Sequence, residues 1–206
     1  MAGTMPHAIF VETGLDGGAT VAAYAAELPG CATFAASDDE AVGAIPRRVA
    51  RFAEWLRRNQ EPTPAFVGDN WYEVERAACD GTPLGRAAFS LDELPPSDEE
   101  WQRGLRWLEL AREDLAEAMD GAGLDAVSSD GGLMTIAEQD EGLIRTLRGE
   151  ANTPADDPID RFYGARDALV EALEAGGPSA DGARRAIRLA IADDLRLADR
   201  LRGDEG

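Results

Sequence analysis

From His7 to Phe34 the chain runs in short apolar blocks broken by glycine-bearing turns, a pattern that predicts strands rather than helices. His7–Thr13 is apolar and β-branched enough for a first strand, and Leu15-Asp16-Gly17-Gly18 supplies a hairpin turn. Ala19–Glu27 continues as its partner, with Val21, Ala23 and Ala25 on one face and Ala22, Tyr24 and Ala26 on the other. Pro29-Gly30 interrupts it, and Cys31–Ala35 resumes an extended segment. The period then changes to that of a helix. Ser37-Asp38-Asp39-Glu40 reads as a capping box, followed by Val42, Ile45, Val49, Phe52 and Leu56 as one apolar stripe that must lie on the sheet. Pro46 is expected to kink this helix, because it removes a backbone donor and crowds the carbonyl of Val42. Trp71–Arg76 and Arg86–Ser90 are predicted as added edge strands around a turn at Asp80-Gly81-Thr82-Pro83, and Leu91–Pro96 as a linker.

Beyond Pro96 the pattern is helical throughout. Ser97-Asp98-Glu99-Glu100 is a second capping box, and four helices follow with breaks near 121–132, 149–158 and 176–178. Their apolar stripes are Trp101, Leu105, Leu108, Leu115 and Met119; Leu133, Ile136, Leu143 and Leu147; Ile159, Phe162, Leu169 and Leu173; and Ile187, Ile191, Ala198 and Leu201. The expectation is an α+β protein: a small β-sheet with one packed helix over residues 1–96, then an all-α antiparallel four-helix bundle over 97–206.

Four charged positions interrupt the stripes while keeping their spacing, one per helix: Arg112, Asp140, Arg166 and Asp194. Two cations and two anions aimed into one core predict a mutually neutralising polar network. Two uses of it stay open: a structural device, whether helix register or side chains reaching the boundary, and the lining of a ligand pocket.

Charge narrows the partners. The formal net charge of −20 comes from 20 Arg, no Lys and 40 Asp plus Glu, and residues 97–206 alone carry −13. Such a field repels phosphate backbones and anionic lipid, which disfavours nucleic acid and favours a basic protein partner or simple solubility. Arg47, Arg48, Arg51, Arg57 and Arg58 form the one cluster that could act as a basic patch. No apolar run approaches the length of a membrane span, and Met1–Thr13 lacks the features of a signal peptide, so the default expectation is a cytoplasmic protein without membrane association.

Little catalytic chemistry is on offer, and no catalytic residue is assigned. Cys31 and Cys79 form no metal or redox spacing, His7 is the only histidine, and neither common nucleotide-binding glycine loop occurs. Glu12 with Glu27, or Glu73 with Glu75, could serve as acid and base. Among so many carboxylates a solvated face is the better reading.

The order strand, Gly17-Gly18 turn, strand, Leu28-Pro29-Gly30-Cys31, short strand and Ser37-capped helix resembles the HicB-like domain, best known from antitoxins. Ile45-Pro46 and Glu54-Trp55-Leu56 resemble the subset of that family fused to a helical domain. The helical half resembles the DinB-like bundles, whose active members hold a divalent metal through three His. The matching segments are Thr135-Ile136-Ala137-Glu138-Gln139-Asp140 and Ala192-Asp193-Asp194-Leu195-Arg196-Leu197. In this chain the ligand positions are Thr135, Asp193 and Leu197, a set that cannot hold a transition metal, so neither metal nor cofactor is expected. The resemblances imply a non-catalytic binding or regulatory protein, antitoxin-like toward a small basic partner and self-associating as a homodimer. Two alternatives stay open: a small-molecule-binding or metal-independent enzyme with a pocket among the helices, and an orphan fusion that has lost both ancestral activities.

Overall fold

The computed structural model describes residues 7–63, 70–80, 85–123, 127, 131–149 and 157–204. The chain divides into two compact units, Met1–Phe89 and Ser90–Gly206. The first holds a four-stranded mixed sheet and one helix, and the second holds helices, so the class is α+β.

In the first unit β1 (His7–Leu15), β2 (Thr20–Ala25), β3 (Ala32–Ala35) and β4 (Trp71–Ala78) form a sheet of order β3-β2-β1-β4. β1 and β2 pair antiparallel, as do β2 and β3, whereas β4 returns parallel to β1 after the helix α1 (Asp38–Arg58). The tight turn after β2 closes through Leu28 N–H to Ala25 O at 3.0 Å and Cys31 N–H to Leu28 O at 2.9 Å. Gly14 has φ +87°, and a Cβ there would lie 3.0 Å from the Cys79 carbonyl, so the β1–β4 approach requires glycine. The register shifts between Ile9 and Phe10, which leaves Val74 as an extra residue on the edge strand. That bulge, with Glu73, Glu75 and Arg76 around it, discourages another strand from pairing there.

Both sheet faces are covered, which explains why β1 and β2 are buried almost throughout. Thr33, paired with Ala23, donates its hydroxyl to Ala41 O of α1 at 2.7 Å, which places α1 on the face of Ile9, Val11 and Ala23. Ala41, Ile45, Val49, Phe52, Trp55 and Leu56 form the buried side of that helix, and α1 continues as one helix across Pro46. Ser37 Oγ accepts from Glu40 N–H, but the reciprocal Glu40 contact is not formed, so only half of the expected capping box exists.

The opposite face corrects an expectation. Arg86–Ser90 forms no strand; its residues lie across Phe10, Glu12 and Tyr24, with Phe89 stacked on Phe10 at 4.7 Å and edge-on to Tyr24 at 6.0 Å. Two aromatic rings and a carboxylate on one central face need cover more than the sheet needs another edge. The turn expected at Asp80–Pro83 falls mostly outside the described residues.

In the second unit the helices are α2 (Asp98–Ala122), α3 (Gly132–Arg148), α4 (Pro158–Gly176) and α5 (Ala183–Arg202). α5 packs against α2 and α3, and α3 packs against α4. α5 is buried on most sides, and its Ala186, Ala190, Ala192 and Ala198 let neighbours approach closely. Gly104 of α2 serves the same end, since a Cβ there would lie 3.0 Å from Ile187 Cγ2. The segment Ser90–Glu93, a 3-10 turn, belongs to this unit because Asp92 is buried in a pair with Arg188 of α5, Nη2 to Oδ2 2.5 Å. The unit therefore begins before the Pro95-Pro96 stop.

At the start of α2 the capping box is complete: Glu100 N–H donates to Ser97 Oγ at 3.3 Å, and Ser97 N–H to Glu100 Oε2 at 2.8 Å. Arg184 and the Ser97 amide hold the Glu100 carboxyl down to about 2. Ser97→Ala should cost the helical unit about 1 kcal/mol, read as a lower urea midpoint with unchanged slope.

Candidate functional site

The spacing of Asp140, Arg166 and Asp194 carries all three side chains into one buried cluster. Each interrupts an apolar stripe at a position where its helix faces a neighbour. Arg166 on α4 donates from Nη2 to Asp194 Oδ1 on α5 at 2.6 Å, and its Nη1 lies 3.1 Å from Asp140 Oδ1 on α3. Arg166 Nη2 also reaches the Ala190 carbonyl at 3.5 Å, and its guanidinium carbon lies 6.0 Å from the Phe162 ring centroid. The side chains of Arg166 and Asp194 are 0 % exposed and that of Asp140 2 %. Asp140 Oδ2, Asp194 Oδ2 and Arg166 Nε and Nη1 have no hydrogen-bond partner among the described residues.

Arg112 is not a full member. It stays at the rim, with a side chain 27 % exposed, its Nη2 2.5 Å from Asp167 Oδ1 and its guanidinium 5.6 Å from the Tyr163 ring centroid. A flexible cation that can reach water keeps its hydration and pairs outside the core. The consequence is an unbalanced centre, with two carboxylates against one guanidinium.

Burial governs the ionisation of that centre. It pushes the Asp140 carboxyl up to about 8 against the opposing pull of Arg166, with Asp194 and Asp193 adding to the rise. Asp194 is also raised, to about 6, by burial, while Arg166 draws it down. Arg166 is pushed down by burial, but the surrounding aspartates outweigh that and leave it above its ordinary value. The cluster is sealed from water, so it can set helix register and store charge.

Thr135, Asp193 and Leu197 do not assemble into a donor set. Thr135 is exposed and donates its hydroxyl to the Gly131 carbonyl at 3.3 Å, whereas Leu197 is buried in an apolar cluster with Leu115, Val127, Phe162 and Ala198. Asp193 is buried. Among the described residues, no group of three or more His, Cys, Asp or Glu is placed to hold a metal ion. His7 packs against Trp71 with the rings tilted by 33° and their centroids 4.6 Å apart, and has its Nδ1 3.8 Å from Glu27 Oε1. Cys31 is a buried free thiol, pushed up to about 12 by burial.

A second buried ionic site lies in the first unit, where a solvated carboxylate was expected. Glu12 is 0 % exposed and accepts from the Ala87 amide at 2.5 Å, the Tyr24 hydroxyl at 2.7 Å and Arg86 Nε at 3.1 Å. Burial raises its carboxyl, but the Arg86 guanidinium together with the Ala87 and Tyr24 donors outweighs it and holds the group below its ordinary value. The signal in the sequence was a lone acid within the apolar run of β1, with Tyr24 on the partner strand; its abundance of acidic competitors hid it. Glu141, which binds Arg161 Nε at 2.9 Å, and the Asp92–Arg188 pair were likewise missed.

Comparison with protein-family models, with curated proteins and with solved structures finds no match to this chain. Among the described residues, no helix is long and apolar enough to cross a membrane.

Proposed function

We propose that this is a non-catalytic binding or regulatory protein that acts by covering a small basic protein. The observation that carries the reading is how the arginines are used. Arg86, Arg166 and Arg188 are spent in buried pairs, and Arg76, Arg112, Arg161, Arg184 and Arg202 are engaged by acids of the same chain. With twice as many acids as arginines, the acidic excess is left at the surface, where it can steer and hold a cationic partner.

On this reading the first unit is a HicB-like domain, whose implied form, a small sheet with one packed helix, accords with β1–β4 and α1. The second is a DinB-like four-helix bundle without its histidines, retained as a scaffold. By that resemblance the partner is a small toxin that cleaves RNA and the chain forms a homodimer; a cytoplasmic location is the default expectation.

The test is affinity capture by the full chain from its native host, followed by reconstitution with the purified captured protein and light scattering of the mixture. The expected result is one small basic protein, bound in stoichiometric amount and released by salt. Retention of a small molecule instead would move the function to the helical unit. Capture of neither would leave a fusion without either ancestral activity.

A further inference from the structure

The central guanidinium of the helical unit serves two carboxylates unequally. Arg166 makes a hydrogen bond to Asp194 Oδ1 at 2.6 Å, whereas Asp140 Oδ1, 3.1 Å from Nη1, receives no hydrogen bond from it. Asp140 Oδ2 is also unpartnered, on a residue 1 % exposed. An ionised carboxylate there would have one oxygen without a donor and would share a single guanidinium charge with Asp194, a costly arrangement in a sealed core.

Of the other charges acting on it, only Arg112 favours the ionised form, and it does so from the rim. The charged groups acting on Asp140 are Arg112 from α2, Arg166 from α4, and Asp193 and Asp194 from α5. Arg112 is drawn outward by Asp167, and Asp193 adds negative charge. On α3 the next residue, Glu141, is occupied by Arg161 and Arg145, and in the turn packed against α5 Asp92 is occupied by Arg188.

We propose that Asp140 is held as a neutral carboxylic acid at neutral pH, and that this one proton links the folding of the helical unit to pH. Asp194 is the ionised partner of Arg166, and the cluster as a whole is then neutral. The native state keeps a proton that the unfolded chain releases, so the link weakens the unit as pH rises. The effect begins above the ordinary Asp value of 3.8 and is complete once the native carboxyl ionises, near pH 8.

The experiment compares the full-length protein with Asp140→Asn, a substitution that copies the neutral acid in shape. Hydrogen exchange of peptides from α3, α4 and α5, corrected for intrinsic rates, gives the opening constant of the unit between pH 5 and 9. The ratio of wild-type to variant protection is expected to fall about tenfold per pH unit between pH 5 and 7 and to level off above pH 8. Asp194→Asn, which removes the ionised partner, is expected to lose protection above about pH 6, where Asp194 is charged. In the wild type, the 13Cγ resonance missing from the Asp140→Asn spectrum should titrate well above the other aspartates. A flat ratio, a resonance titrating near 4, an Asp194→Asn chain well protected above about pH 6 or an Asp140→Asn chain that fails to fold would each overturn the proposal.

Discussion

Replacing Arg166 with methionine is expected to destabilise the helical unit by roughly 3–5 kcal/mol. The substitution conserves much of the side chain's volume, so the loss is electrostatic rather than a cavity. It leaves Asp194 as a buried charge without its 2.6 Å donor and Asp140 beside it with no cation in contact. Asp194 must then take up a proton to stay buried, beside an Asp140 that already holds one, so the variant should recover stability in acid and be weakest in alkali. Urea unfolding followed by exchange of α3–α5 peptides measures it. A control carrying Arg166→Met with Asp140→Leu and Asp194→Leu should regain most of the loss, since apolar residues replace a buried ionic group at little net cost. A loss under 1 kcal/mol for Arg166→Met would mean that water reaches the cluster.

Glu12→Ala is expected to have an effect of similar size, roughly 3–5 kcal/mol, confined to the first unit. Removing the carboxylate strands the Arg86 guanidinium, the Ala87 amide and the Tyr24 hydroxyl at once, all in a region shut off from water. The segment that carries Phe89 onto Phe10 loses its anchor, so peptides covering β1, β2 and residues 85–89 should exchange faster while α3–α5 peptides stay unchanged. Glu12→Gln keeps the shape and one acceptor, and should fall between wild type and alanine.

The two sites respond to pH in opposite directions. Glu12 is held below its ordinary 4.5, so it stabilises the first unit at neutral pH and loses that contribution as pH falls through the ordinary value and below. Asp140 is raised above its ordinary 3.8, so its contribution to the second unit is largest in acid and fades toward about 8. Acid should therefore open the sheet unit first, and alkali the helical unit.

How these sites read in the sequence depended on how local their cause is. The spacing of Asp140, Arg166 and Asp194 within apolar stripes was visible because a helix repeats every 3.6 residues, and a charge that keeps the stripe's phase must face a neighbour. The same phase placed Arg112 with them. Its long stem and the nearby Asp167 took it to the rim instead, and no spacing rule contains that choice between two partners. Glu12 failed for a related reason. Its partner Arg86 lies 74 positions away, in a segment that alternation marked as another strand. Only the demand of an uncovered aromatic face, visible once the sheet is assembled, turned that segment over the sheet.

What the sequence by itself determined is the local grammar of this protein: the hairpin and its glycine turns, the serine caps at Ser37 and Ser97, the apolar faces of the helices and the α+β class. Those features follow from backbone sterics and from hydrogen bonds a few residues long. Tertiary structure alone decided that Glu12, Asp92 and Glu141 are buried as well, which arginine serves each, and that one buried guanidinium faces two carboxylates. Pairing of that kind is set by burial and by the distances the fold imposes, which no local spacing contains.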